Sequence, residues 1–182
     1  LLTGGFTEKP TSLRGEFNNA DVGLGRFSIG APAATATLEE MIACGAREIF
    51  EVGLTGGLQQ FLKPGDIIVV TEAIRDEGTS HHYFPPEVKV ESSEDLRERL
   101  LKQLNMEGAR HYCGKVWSTD GVYRETRSKF LRFKKAGVLA VNMETSAIFA
   151  VSKYRGVKES RCRLYQTFYP KQAGFQLSNM KR

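Results

Sequence analysis

The chain has no long apolar run free of charge, which excludes a membrane-spanning helix read from sequence. Its opening, Leu1-Leu2-Thr3-Gly4-Gly5, has no basic segment leading into an apolar stretch, so no secretory signal is expected; it also has no initiating Met, as in a trimmed chain or part of a longer one. Cysteine is scarce. Cys44, Cys113 and Cys162 are odd in number and scattered, and His81, His82 and His111 add no ligand spacing. That excludes a disulfide or zinc framework and leaves free thiols in a reducing compartment, a cytoplasmic setting with no metal. Internal repeats and low-complexity linkers are missing as well. The body of the chain also lacks an excess of one charge. Residues 153–182 carry eight Lys or Arg against the single Glu159, while the other residues hold 18 basic and 20 acidic side chains. The net charge of +5 therefore belongs to the end of the chain rather than to a face, and predicts neither a nucleic-acid partner nor a membrane partner.

What is present fits one globular domain of 182 residues, 41% hydrophobic and 26% charged. Strand-like and helix-like stretches alternate with glycine punctuation, the pattern of an α/β layered fold. Val22–Phe27 reads as a strand, and Ser28-Ile29-Gly30-Ala31-Pro32 as a turn opening a helix with Pro in its first turn. Ala34, Leu38, Met41 and Ile42 form the core-facing stripe of that helix, and Gly45 suits its C-terminal cap. Glu48–Val52 reads as a short strand running into a glycine loop, Gly53-Leu54-Thr55-Gly56-Gly57. Lys63-Pro64-Gly65-Asp66 is a turn, Ile67–Val70 a strand covered on both faces, and residues 76–93 a long loop. A helix follows from Ser92 or Ser93 through Leu104, then a strand Tyr112–Ser118, a helix Ser128–Ala136 and a buried strand Val138–Val141. A helix from Glu144 to Tyr154 closes the series, with Ala147, Ile148, Val151 and Tyr154 inward and Gly156 ending it.

Six motifs stand in one order: Ser28-Ile29-Gly30-Ala31-Pro32-Ala33-Ala34, Gly53-Leu54-Thr55-Gly56-Gly57-Leu58, Pro64-Gly65-Asp66-Ile67-Ile68-Val69, Ile74 through Tyr83, Ser118-Thr119-Asp120, and Met143-Glu144. Each alone is a weak signal. Together, from about Val22 to Gly156, they resemble the uridine phosphorylase and hexameric purine nucleoside phosphorylase family. The resemblance implies a three-layer α/β/α domain with a mixed, twisted central sheet, no cofactor beyond phosphate as co-substrate, and a homo-oligomer. It implies an activity in which phosphate attacks the anomeric carbon of a nucleoside, a pentosyl (glycosyl) transfer.

By the same resemblance, Glu144 accepts hydrogen bonds from the ribose hydroxyls and Met143 packs on the sugar. A carboxylate suits the role because it accepts two hydroxyl donors at once in charge-assisted bonds. Taken alone, Met143 reads as a core residue and Glu144 as an acid in a helix's first turn. Thr55 and Gly56 match base-pocket positions, as do Val122, where the family usually has Phe, and Tyr123. Outside the resemblance Gly56 is a turn glycine and Tyr123 a half-buried aromatic. Asp120 is expected to orient a loop, and Arg127 to be a solvated residue at a helix start.

The implied phosphate site is altered. Glu51 stands two residues before Gly53, where the phosphorolytic enzymes carry Arg, and Leu54 replaces a Thr or Ser. A Glu there repels phosphate, leaving the backbone N–H groups of the loop. Asn142 stands where many members carry an acid. The strand and glycine loop that open the family domain are not found before Val22. From Lys158 the sequence reads as a divergent basic tail (157–182) after a domain of residues 1–156, a replaced ending without a buried strand. Three readings of function follow: phosphorolysis of uridine or a purine nucleoside, hydrolysis by a water-using nucleosidase, and nucleoside binding without catalysis.

Overall fold

The computed structural model describes residues 12–17 and 19–165. Two strands, β1 (Ser12–Phe17) and β2 (Ala20–Gly25), form an antiparallel hairpin, with Asn19 in the left-handed region (φ 61°) at its turn. Asn tolerates that backbone better than most residues. Then come α1 (Ala31–Ala43), β3 (Glu48–Gly57), β4 (Ile67–Asp76), a 3-10 turn at Thr79–His82, β5 (Val90–Glu91), α2 (Glu94–Met106) and β6 (His111–Thr119). A second 3-10 turn at Val122–Arg124 leads into α3 (Arg127–Lys135), β7 (Ala140–Asn142), α4 (Thr145–Arg155) and β8 (Lys158–Tyr165).

The main sheet is mixed, in the order β5-β4-β6-β7-β3-β8. It curls until β8, parallel to β3, also pairs antiparallel with β4. Helices flank both faces. Val116 of β6 and Ala140 of β7 share a cluster with Phe149 and Ala150 of α4. Their sequence neighbours Trp117 and Val141 point the other way, into a cluster with Phe133 of α3. This alternation is the period of two that a doubly covered strand imposes. It realises the expected α/β architecture with a mixed central sheet. Helix α1 lays Ala34 and Leu38 against Ile49 of β3 and Ile148 and Val151 of α4.

Four expectations need correction. The glycine stretch 53–57 is not a loop: β3 runs through it, paired with β8 as far as Thr55 and with β7 at Gly56 and Gly57. Ladder hydrogen bonds to two neighbours outweigh the weak strand preference of glycine there. Residues 76–93 are not wholly loop, since they hold the 3-10 turn and β5. Tyr154 is not inward: it is more than half exposed, its ring meeting Tyr83 and Phe84 edge-on at the end of α4. Finally, Lys158–Tyr165 is no tail but the strand that closes the sheet, with Glu159, Ser160 and Arg161 buried. Residues 166–182 of the expected tail lie outside the described residues.

Candidate active site

The site is built where β7 stops and α4 starts. A helix leaves its first amides without intrahelical acceptors. Here Asn142 supplies one: its Oδ1 accepts from the backbone N–H of Glu144 (3.1 Å) and of Thr145 (3.0 Å), and from the Ser118 hydroxyl (3.0 Å). Ser118 Oγ in turn accepts from Ser146 N–H at 3.0 Å. Because two backbone amides point at Asn142 Oδ1, the side-chain amide has one possible orientation, and its Nδ2 is buried with no protein partner among the described residues.

With capping done by Asn142 and Ser118, the Glu144 carboxylate serves elsewhere. It sits at the N-cap position, half-buried, and makes no capping bond through its side chain. Oε1 accepts from Gly30 N–H at 2.9 Å, and Oε2 from Met143 N–H at 3.3 Å. Gly30 precedes α1 with φ 93°, a conformation that only glycine adopts readily, and that backbone accompanies its amide bond to Glu144. Two motifs 114 residues apart in sequence, Ser28–Ala34 and Met143-Glu144, are thus one constellation. Neither the isolated core reading of Met143 nor the dipole reading of Glu144 accounts for that contact; both side chains are half-buried at the surface of the site.

Thr55 is buried and donates its hydroxyl to Val141 O at 2.6 Å, so it braces the strand that leads into Met143-Glu144. Gly56 lies beside Val141 in the β3–β7 register. Val122 and Tyr123 are not drawn into that group: both occupy the exposed 3-10 turn, Tyr123 99% exposed. Asp120 orients a loop as expected, accepting from Gly78 N–H at 2.8 Å, and Arg127 is an exposed first residue of α3.

Glu51 is not an open negative charge. It is buried, and its Oε2 accepts from Nε of Arg161, its register partner across β3–β8. Glu159 Oε1 approaches the same nitrogen at 3.4 Å. Arg161 is wholly buried, and its two terminal nitrogens have no protein partner among the described residues. Gly53 stands opposite Arg163 in the same ladder, and the Leu54 side chain is exposed. Sequence reasoning missed Arg161, and it quoted Ser118, Ser146 and Glu77 within motifs without giving any of them a role of its own. Arg161 carried no local signal because its partner lies 110 residues away.

Among the described residues no group of three or more His, Cys, Asp or Glu is placed to hold a metal ion, and no helix is long and apolar enough to cross a membrane. Cys44 and Cys113 are free and exposed.

Comparison with known proteins agrees with this geometry. Residues 8–164 match the family model of the phosphorylase superfamily. The chain is 25% identical to a uridine phosphorylase of Haemophilus influenzae over 166 residues, covering 84% of this chain and 66% of the relative. It is 26% identical to a guanosine phosphorylase of Halorubrum lacusprofundi, covering 80% and 61%. A crystal structure of uridine phosphorylase from Vibrio fischeri ES114 superposes with a TM-score of 0.81 at 29% identity, over 86% of this chain and 66% of that one. The chain thus spans under two thirds of the length of these curated relatives. With the curled mixed sheet and the Gly30–Glu144 constellation in place, the chain belongs to the phosphorylase superfamily.

Proposed function

We propose that this chain carries the sugar-binding part of a nucleoside phosphorylase acting on uridine or a purine nucleoside. The observation that carries the reading is the Glu144 carboxylate, set at a strand–helix junction by Gly30 and Met143 amides and left half-buried. In the proposed reaction a phosphate oxygen forms a bond to the anomeric carbon as the glycosidic C–N bond breaks. The base departs with the bonding electrons. Glu144 accepts hydrogen bonds from the ribose hydroxyls, and its charge favours the positive character that develops on the sugar, an interaction stronger in the transition state than in the ground state. Met143 packs on the sugar and Thr55 and Gly56 lie on the base side; Val122 and Tyr123, exposed on the turn at Val122–Arg124, are assigned to the base side by the family resemblance alone. No cofactor is needed beyond phosphate as co-substrate. Glu51, Gly53 and Leu54 are the altered phosphate side, where the Arg161 pairing of Glu51 removes an uncompensated negative charge. We also infer a homo-oligomer, and a reducing, cytoplasmic setting supported by the free thiols.

Base release from uridine, inosine and adenosine, measured with and without phosphate, tests the reading. Phosphate-dependent release that disappears in Glu144→Ala supports it. The buried Glu51–Arg161 pair favours a second reading, hydrolysis by water, in which release is independent of phosphate. Binding without release under either condition identifies a non-catalytic member.

A further inference from the structure

We propose that Glu77 is a positioning residue of the sugar site, acting on Glu144 through its hydrogen bond to Ser146; the proposal rests on Glu144 being the sugar ligand. Glu77 follows the last residue of β4 and is 5% exposed. A carboxylate so far from water persists only where it is hydrogen-bonded. Its Oε1 accepts from Ser146 Oγ at 2.8 Å, and its Oε2 from Ser80 N–H at 3.0 Å. Ser146 is wholly buried in the first turn of α4, two residues beyond Glu144, and its amide is already held by Ser118.

The other end of this connection is rigid in its own right. Residues 80–88 wrap the Arg75 guanidinium, which donates to Ser80 O (2.8 Å), Phe84 O (2.6 Å), Pro85 O (2.6 Å), Val88 O (2.9 Å) and Ser80 Oγ (2.9 Å). Burial lowers the Arg75 pKa, opposed by the nearby charges of Glu77 and Glu87. Gly78 is pinned separately by Asp120. The loop therefore has anchors of its own. What Glu77 adds is a fixed relation between that loop and the turn of helix from which Glu144 projects toward Gly30. A shift of about 1 Å in a ligand-holding group is enough to cost a site much of its binding and rate.

The test uses Ser146→Ala, which deletes the link while leaving the Ser118 and Ser80 contacts in place. Two readouts separate this proposal from the function it rests on. First, exchange of the Gly30 amide hydrogen, followed by NMR in the protein without substrate, reports the Gly30–Glu144 bond directly. It is expected to accelerate about 10-fold while amides of the β4–β6 ladder keep their rates. Second, the KM for uridine or inosine is expected to rise about 10-fold with the phosphate KM unchanged. Glu77→Gln can still accept from Ser80 and bond Ser146, so it is expected to stay near wild type in both. Glu77→Asp, one methylene shorter, is expected to repeat the Ser146→Ala result and replaces that variant should it not fold. An unchanged Gly30 exchange rate in Ser146→Ala, or a loss of thermal midpoint as the only effect, overturns the proposal. A wild-type protein that neither binds nor cleaves nucleosides overturns the functional reading instead, and the Gly30 exchange still decides the positioning contact.

Discussion

The junction of β7 with α4 and the pairing of β3 with β8 lie in one curled sheet and are built on opposite terms. At the junction, the Glu144 carboxylate is held by backbone amides and the buried Glu77 carboxylate by the Ser146 hydroxyl and the Ser80 amide, while the remaining donors and acceptors, Ser118, Asn142 and Ser146, are neutral. Neutral hydrogen bonds hold geometry without the large desolvation cost of an ion. Across β3–β8, three ionisable side chains, Glu51, Glu159 and Arg161, are buried together, and two guanidinium nitrogens have no hydrogen-bond partner among the described residues. The difference separates a region where carboxylates are held by amides and hydroxyls from a region where acidic and basic side chains are occupied with each other. It also explains why the altered sequence at Glu51 does not break the fold: Arg161 compensates it from the neighbouring strand.

The comparison can be broken most forcefully at Arg161. Arg161→Met removes the guanidinium that Glu51 and Glu159 both approach inside the sheet and is expected to destabilise the chain by about 3–5 kcal/mol, read by denaturant unfolding. Adding Glu51→Gln to that variant is expected to restore part of the loss, whereas a double variant no more stable than the single one contradicts the pairing. A smaller effect is expected on the neutral side. Asn142→Ala strips the acceptor from two helix amides and one hydroxyl, for a loss of about 2 kcal/mol. Asn142→Asp keeps those accepted bonds, so its unfolding midpoint is expected to fall by less. The smallest effect is reserved for Lys158, exposed at the start of β8, where it meets Asp95 at 2.7 Å. Hydrogen bonding to Lys158 lowers the Asp95 pKa, but an exposed pair of this kind is screened, and Lys158→Ala is expected to leave the unfolding midpoint unchanged.

These two regions were also unequally legible in the sequence. Helix signals read well because they are local: the Ala34 and Leu38 stripe, the Gly45 terminus and the left-handed Gly156 after α4 are set by neighbours a few residues away. Met143-Glu144 and the Gly30 turn were legible as motifs, yet their contact was not, because it spans 114 residues. Gly53, Gly56 and Gly57 carry turn chemistry in isolation, and only pairing with β7 and β8 makes them strand. β8 defied reading for the same reason. Glu159 and Arg161 are residues a buried strand seldom holds, and what permits them is Glu51 across the ladder. Glu77 stood inside the Ile74–Tyr83 motif with no role of its own; its partners Ser80 and Ser146 give it one.

The claim that unites these observations is that Glu144 is the sugar ligand. Titration calorimetry of uridine and inosine into the wild-type chain and Glu144→Ala addresses it with the fewest assumptions. Loss of two charge-assisted hydrogen bonds to the sugar predicts affinity about 100-fold weaker in the variant, measured at a temperature where both proteins are folded, since releasing the Gly30 and Met143 amides also lowers the unfolding midpoint. Equal affinity of the two proteins for both nucleosides would contradict the account.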